Sequence, residues 1–422
     1  MNVLIRKATI IDKNSSYNGQ KVDLLIENGQ ISKIGVEINA KAQKVIEGEQ
    51  LCLSIGWMDI GAQIGDPGFE HREDLHSATI AAAAGGYTSI ACYPNSNPVV
   101  DSKSGILYIK QNTSQSLVDF YPIGAISENC NGKDITEMID MHRAGAVAFS
   151  DGKYPIQDNG LMMRALLYIK SFNGVIINQP QDKTIAHDGQ ANEGIVSTSL
   201  GIRGIPHMAE EIMLQRDIFL AEYTQSKLHV ANISTANAVE MIRKAKQNGL
   251  QITASVAAMN LAYADTAIHG FDSNYKVLPP LRTQKDIAAL KDGLKDGTID
   301  IINSNHIPLE EEAKKLEFTY ADFGVIGLET SFAVANMNLS GCLSLEQLIE
   351  KLAIVPRQLL GIDIPAIEEG KVANLTIFDP KQNWVYEEKN IKSKSKNSPF
   401  IGQKLKGKVL GVINNKQIQF FE

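Results

Sequence analysis

The sequence predicts an α/β protein: a (β/α)8 barrel of the TIM type, with a small β-sandwich domain formed from both termini. Three observations carry that expectation. The chain has 422 residues, enough for a barrel of ~250 residues and a smaller companion. Eight apolar runs are spaced through its middle, most of them followed by a segment of helical period. Both ends are instead made of short β-prone stretches set around Asn-Gly-type turns. The expected division is residues 1–54 and 368–422 for the sandwich, and 55–367 for the barrel.

At the N-terminus, Val3-Leu4-Ile5, Val22–Ile26 and Ile31–Gly35 alternate in period two around Asn28-Gly29, the pattern of hairpins. Asn374–Phe378, Trp384–Tyr386 and the stretch Val409–Phe421 around Asn414-Asn415 have the same texture. Neither end can bury a core alone, so the two are expected to meet. Between them, the opening barrel strand lies within Ile55–Ile64. Strands are then expected at Tyr87–Tyr93, Val118–Ile126, Ala146–Phe149, Val175–Ile177, Lys227–Ile233, Gln251–Val256 and Ile299–Ile302. Helical patterns such as Thr235–Gln247 and Lys285–Lys295 follow them. In such a barrel the functional residues lie at the C-terminal ends of the strands. The long connections 182–204 and 310–323 are expected on that same face. The basic stretch 389–396 reads as a solvated loop.

A formal net charge of −7 argues against nucleic acid or an anionic membrane as partner, since both require clustered Lys and Arg. No apolar run approaches the ~20 residues of a membrane span, and no signal-peptide core opens the chain. Cys52, Cys92, Cys130 and Cys342 are scattered without a CxxC pair, so a reduced, cytoplasmic protein is expected.

The most informative stretch is Gly56–Phe69, GWMDIGAQIGDPGF. It is a buried-strand pattern running into the turn Asp66-Pro67-Gly68. It resembles the first barrel strand of the cyclic amidohydrolases, most closely the dihydroorotases of the longer bacterial type. Asp59 and Pro67-Gly68-Phe69 keep that motif. The two metal-binding His positions are Gly61 and Gln63, and the Arg position is Gly65. The resemblance continues strand by strand. Tyr93-Pro94-Asn95-Ser96-Asn97-Pro98 resembles a turn whose Asn contacts substrate. Phe149-Ser150-Asp151-Gly152 resembles Phe-Ser-Asp-Asp-Gly with one Asp missing, so Asp151 stands either for the metal-bridging carboxylate or for its neighbour. Gln179 stands at the metal-binding His of the fifth strand and Asn232 at that of the sixth, in His229–Thr235. Ser304-Asn305-His306-Ile307-Pro308 resembles Thr-Asp-His-Ala-Pro, with Asn305 at the metal-binding, proton-shuttling Asp. Leu278 replaces a substrate-contacting Asn ahead of Pro279-Pro280-Leu281-Arg282, while Gly324–Thr330 matches closely.

Charge makes these losses matter. Metal-assisted hydrolysis of a cyclic amide needs a bound water with its pKa lowered to ~7 and a Lewis acid on the carbonyl. Zinc is held by imidazole, thiolate or carboxylate, normally from at least three protein ligands. Gly61, Gln63, Gln179, Asn232 and Asn305 are neutral, and an amide cannot accept the proton. The expectation is therefore a dihydroorotase-like protein of pyrimidine biosynthesis with no intact catalytic residue and no zinc. Its former metal cavity would be filled by a network of Gln63, Gln179, Asn232 and Asn305, and Asn95, His306 and Asp151 would remain as remnants for binding a ligand. The resemblance also implies a non-catalytic subunit partnered with aspartate transcarbamoylase, and a homo-oligomer. Two rival readings stay open: an active cyclic amidohydrolase using Asp151 and His306 with a single metal, and a binding protein with a pyrimidine-like pocket. For single residues there are plainer readings. His229 within a strand is expected to be structural, His71 and His76 to lie on the surface, Asn95 to shape its turn, and the four Cys to be buried apolar side chains.

Overall fold

The computed structural model describes residues 2–421. Its centre is a parallel sheet of eight strands. In chain order they are Trp57–Ala62, Tyr87–Cys92, Asp119–Gly124, Ala148–Phe149, Ile176–Asn178, Leu228–Val230, Ile252–Ala257 and Ile301–Asn303. Each pairs with the next in sequence. Every expected strand is present, and the expected helices appear as Ala236–Gln247 and Gln284–Asp296. The strands are rich in apolar residues because both of their faces are covered, with only single or paired polar residues such as Asp59, His229 and Ser255 between them.

The first and eighth strands meet through side chains more than through a ladder. Asp59 is fully buried and accepts from the Ser304 amide at 2.7 Å, the Ser304 hydroxyl at 2.8 Å and the Gly61 amide at 3.0 Å. Just beyond, the Gln63 amide donates to the His306 carbonyl at 2.8 Å. Burial pushes the Asp59 carboxyl up from its ordinary range, and these donors oppose that shift. The motif Asp is thus a clasp that closes the barrel and brings both strand ends to one site.

The chain ends supply a second, mixed eight-stranded sheet. Asn2–Ile10, Lys21–Glu27, Gln30–Gly35, Lys44–Ile46 and Cys52–Ile55 come from one end, and Leu375–Val385, Lys404–Asn414 and Gln417–Phe420 from the other. The two halves join where Cys52–Ile55 runs antiparallel to Leu375–Phe378. Trp57 seals this sheet to the bottom of the barrel. Its ring lies 4.6 Å from Phe332 and 5.3 Å from Phe378, and its indole N–H donates to Ser54 Oγ at 2.9 Å.

The stretch 389–396 departs from the expected solvated loop. From Ile391 to Asn397 it alternates: Ile391, Ser393, Ser395 and Asn397 are buried, while Lys392, Lys394 and Lys396 are exposed. Ser393 donates to Glu73, and Asn397 donates to the Ile307 carbonyl at 2.9 Å. It is a strap that holds the back wall of the barrel mouth. The connections 182–204 and 310–323 also carry short helices, Lys183–Ala186, Ile195–Ser199 and Glu311–Lys314. No helix among the described residues is long and apolar enough to cross a membrane.

Candidate functional site

A cavity of about 270 Å³ opens at the C-terminal ends of the strands, slightly smaller than the ~300–1,000 Å³ usual for a small-molecule site. Gly61, Gln63 and Gly65 line it from the first strand, Tyr93 and Asn95 from the second, Gly152 from the fourth, Gln179 from the fifth and Asn305 from the eighth. Phe69, Leu278 and Phe323 supply apolar wall, so the expected placement on the barrel mouth holds for these residues.

Its floor is a set of bonded amides. Asn232 Nδ2 donates to Gln179 Oε1 at 3.1 Å and to Asn305 Oδ1 at 3.2 Å. Asn305 Nδ2 donates in turn to the Leu278 carbonyl at 3.0 Å. Asn232 and Asn305 have φ of 54° and 45°, a left-handed conformation that Asn tolerates better than most residues. One member was not anticipated. Asn303, at the end of the eighth strand, donates to Asn232 Oδ1 at 2.8 Å and to Ser255 Oγ at 3.2 Å. Gln63 lines the cavity, but its side chain has no hydrogen bond among the described residues. The network therefore joins three of the four expected amides, with Asn303 in place of Gln63.

Asn303 also explains Gly61. A Cβ built on Gly61 would lie 2.9 Å from Asn303 Cγ, closer than real Cβ contacts allow. The space beside the first strand is filled from across the barrel. The signal in the sequence was a polar residue directly after Ile301-Ile302, at the end of a buried strand. Similar crowding surrounds two other glycines. A Cβ at Gly65 would lie 2.2 Å from the Phe69 carbonyl oxygen, and one at Gly152 would lie 1.9 Å from Asn95 Oδ1.

Three residues expected to face the cavity do not line it: Asn232, which is buried within the amide network, Asp151 and His306. Asp151 turns toward the end of the third strand, accepting from the Ile126 amide at 2.8 Å, the Ser127 amide at 2.9 Å and the Ser127 hydroxyl. Burial pushes its carboxyl up while these donors pull it down, and the net direction is up. The residue at the cavity from this motif is Gly152. His306 lies behind the wall. Its Nδ1 accepts from the Gly327 amide at 3.2 Å, and its Nε2 is 3.4 Å from Glu73 Oε2. Burial alone would push the Glu73 carboxyl up, but His306 and Ser393 beside it hold it below the usual range. Asp151 and His306 act as internal ties because their partners, scattered along the chain, saturate or surround their polar atoms.

Asn95 does line the cavity, yet its own groups are engaged. Nδ2 donates to the Asp151 carbonyl at 3.0 Å and Oδ1 accepts from the Lys153 amide at 3.1 Å. His229 is buried between Thr253 Oγ1 at 2.8 Å and Ser255 Oγ at 3.0 Å, and burial pushes its imidazole down to about 3. Two basic side chains line the cavity: Arg72 is already paired, its Nη2 donating to Glu310 Oε1 at 2.7 Å, whereas the Lys153 ammonium lies 5.1 Å from the Tyr154 ring centroid and has no ion pair among the described residues. Cys52, Cys92 and Cys130 are buried free thiols and Cys342 is partly buried. Among the described residues, no group of three or more His, Cys, Asp or Glu side chains could hold a metal ion.

Residues 51–238 match the Dihydro-orotase-like family model, and residues 191–415 match that of the Amidohydrolase family. A protein named dihydroorotase from Geotalea daltonii is 40% identical over 410 residues, covering 96% of each chain. One from Acetivibrio thermocellus is 41% identical over 419 residues, covering 99% of this chain and 98% of its own. Among solved structures, the L-hydantoinase (dihydropyrimidinase) of Arthrobacter aurescens superposes with a TM-score of 0.87 at 23% identity, covering 100% of this chain and 97% of its own. The dihydropyrimidinase of Brevibacillus agri gives 0.81 at 20% identity, covering 100% and 96%. At these identities the structural likeness speaks for the fold alone. The sequence relatives, matched end to end, go further: the chain belongs to the dihydroorotase family of the amidohydrolase superfamily.

Proposed function

We propose that this chain is a dihydroorotase-family protein of pyrimidine biosynthesis that has given up hydrolysis and serves as a non-catalytic subunit. The observation that carries the reading is the amide floor, in which Gln179, Asn232 and Asn305 hydrogen-bond to one another. The zinc that the family resemblance implies does not fit the donors present. Amide oxygens are weak ligands unless carboxylates accompany them, and those of Gln179 and Asn305 already accept from Asn232. Position 61 has no donor, and the space beside it is taken by Asn303. Asn305 stands where a general base would be required, and its amide cannot take a proton.

The reading with Asp151 and His306 around a single metal is disfavoured by their placement, since neither lines the cavity. A binding role has one observation in its favour. The side-chain amides of Gln63 and Gln181 line the cavity without a hydrogen-bond partner among the described residues, and they remain free for a small polar ligand. For a subunit role, aspartate transcarbamoylase, the preceding enzyme of the pathway, is the partner that the family resemblance suggests.

Two measurements test the proposal. Metal content of the purified chain, read beside dihydroorotate hydrolysis, should give less than stoichiometric zinc and no turnover. Hydrolysis that disappears on chelation would reject the loss of function. Co-expression with the transcarbamoylase should give a complex burying more than ~1,000 Å². Separate elution at micromolar concentration, with transcarbamoylase activity unchanged, would remove that partner while leaving the inactive site untouched.

A further inference from the structure

A second cavity, of about 610 Å³, lies where the barrel meets the terminal sheet, and it shares no lining residue with the one at the barrel mouth. Its barrel side is the end of helix Ser331–Asn338 and the connection to helix Leu345–Ile349. Its sheet side is made by strands Leu375–Val385 and Lys404–Asn414. The two sides are fixed to each other. Asn336 Nδ2 donates to the Pro380 and Lys406 carbonyls, both at 3.0 Å, and the Lys406 amide donates to Met337 Sδ at 3.1 Å.

The lining divides by chemistry. Leu339, Leu343 and Leu348 give an apolar wall. Lys381, Lys404 and Lys406 carry the charge of the lining, and no Asp or Glu is among its residues. All three lysines are exposed, and their ammonium groups have no hydrogen bond or ion pair among the described residues. The backbone sets them close together. Lys404 and Lys406 leave the same face of one strand with Cα atoms ~7 Å apart. Asn383 is paired opposite Lys406, and Lys381 lies in the irregular stretch between Asp379 and Asn383.

Three like charges around one concavity repel one another until an anion comes between them. In a chain of net charge −7 they form a local field opposite in sign to the whole. We propose that this junction cavity binds a small organic phosphate of the nucleoside di- or triphosphate class, with its phosphates on the lysines and its apolar part on the leucine wall. The volume falls within the ~300–1,000 Å³ of small-molecule sites. Lysine serves phosphate as a point charge, and three such charges suit a chain of phosphates better than a single carboxylate. A nucleic acid is the poorer occupant. Its backbone needs a continuous basic groove, whereas this cavity is walled by helix on one side and sheet on the other.

The test is isothermal titration calorimetry of the full chain in magnesium-free buffer at ~50 mM salt, where screening is modest. The probes are ATP, inorganic tripolyphosphate and adenosine. ATP should bind once per chain with a Kd on the order of 10–100 μM. Tripolyphosphate should bind about 10-fold more weakly, because it leaves the leucine wall empty, and adenosine should give no detectable heat. Lys404→Ala together with Lys406→Ala should weaken ATP by about 100-fold and leave the melting temperature unchanged, since both side chains are exposed. Lys33→Ala with Lys41→Ala, exposed lysines outside the cavity, should bind ATP as the parent does. No heat with ATP, equal affinity for ATP and tripolyphosphate, equal losses in the two lysine pairs, or a hexaglutamate peptide that competes as well as ATP would each overturn the proposal.

Discussion

Placing an imidazole at position 61 should destabilise the protein, and removing Asn303 should relieve much of that cost. The substituted Cβ would lie 2.9 Å from Asn303 Cγ and 3.1 Å from its Nδ2, and the ring would need still more room. Asn303 cannot swing aside freely, because it donates to Asn232 Oδ1 and to Ser255 Oγ. Overpacking a filled site costs ~1–3 kcal/mol, and losing two hydrogen bonds adds ~1 kcal/mol each. Gly61→His should therefore cost ~3–5 kcal/mol. At an unfolding entropy of ~2.1 cal/mol/K per residue, this is a fall of ~3–6 °C in Tm for a chain of this length. The assay is a double-mutant cycle by urea denaturation and thermal melting, using Gly61→His, Asn303→Ala and the pair. The expected outcome is a pair more stable than the sum of the singles by at least ~1.5 kcal/mol. Costs that add to within ~0.5 kcal/mol would show that Asn303 does not occupy the imidazole space.

Further outcomes follow from the same geometry. Gln63→His alone should confer neither stoichiometric zinc nor dihydroorotate hydrolysis, because one imidazole among amides is too few ligands. Chelator-sensitive turnover at ~1–10³ per second would falsify this. Asp151→Asn should cost ~2–3 kcal/mol, since it turns an amide group toward backbone N–H donors, and should leave metal content unchanged. A fall in bound metal would place Asp151 in the site instead. His229 gives a pH dependence. Its imidazole stands at about 3 when folded, against an ordinary 6.5, so the unfolded chain binds the extra proton between those values. Its contribution is fully present above pH 6.5 and is lost as pH falls toward 3, by roughly 2–3 kcal/mol at pH 4.5. Urea midpoints at pH 7 and pH 4.5 should fall farther apart for the parent than for His229→Gln, and equal shifts would rule out His229 as the source.

The barrel was legible because strands buried on both faces leave long apolar runs, and because helices between them keep their own period. The terminal sheet was legible from alternation around Asn28-Gly29 and Asn414-Asn415. The site was legible in part, through resemblance at Gly61, Gln63, Gln179, Asn232 and Asn305, and most of those positions do converge. What the sequence withheld was direction. Asp151 and His306 belong to recognisable motifs, but a motif does not say toward which neighbour a side chain turns. The partner of His306, Glu73, is more than 200 residues away in the chain. Asn303 was hidden as the last residue of a strand. Ser393 and Ser395 were hidden between lysines, because serine does not announce burial as leucine does.

On the proposed function, the arrangement of the floor bears on how a metal site could be lost without losing the fold. A metal bound between strands would hold the barrel mouth together, and deleting its ligands would leave buried polar groups unpaired at ~1–3 kcal/mol each. Replacement by amides avoids that penalty, because Asn and Gln roughly fill the volume of an imidazole and both donate and accept. Gln179, Asn232 and Asn305 use these capacities on one another, so the fifth, sixth and eighth strands remain tied at their ends. Gly61, Gly65 and Gly152 add a second obstacle, since a Cβ on any of them would lie within 2.9 Å of a neighbouring atom. Reversal would then require space and ligands together: an imidazole at 61 needs Asn303 gone, and a carboxylate at 152 needs Asn95 displaced. Single reversions should therefore lose stability before they gain a ligand, and the site should resist stepwise return even where each individual change is small.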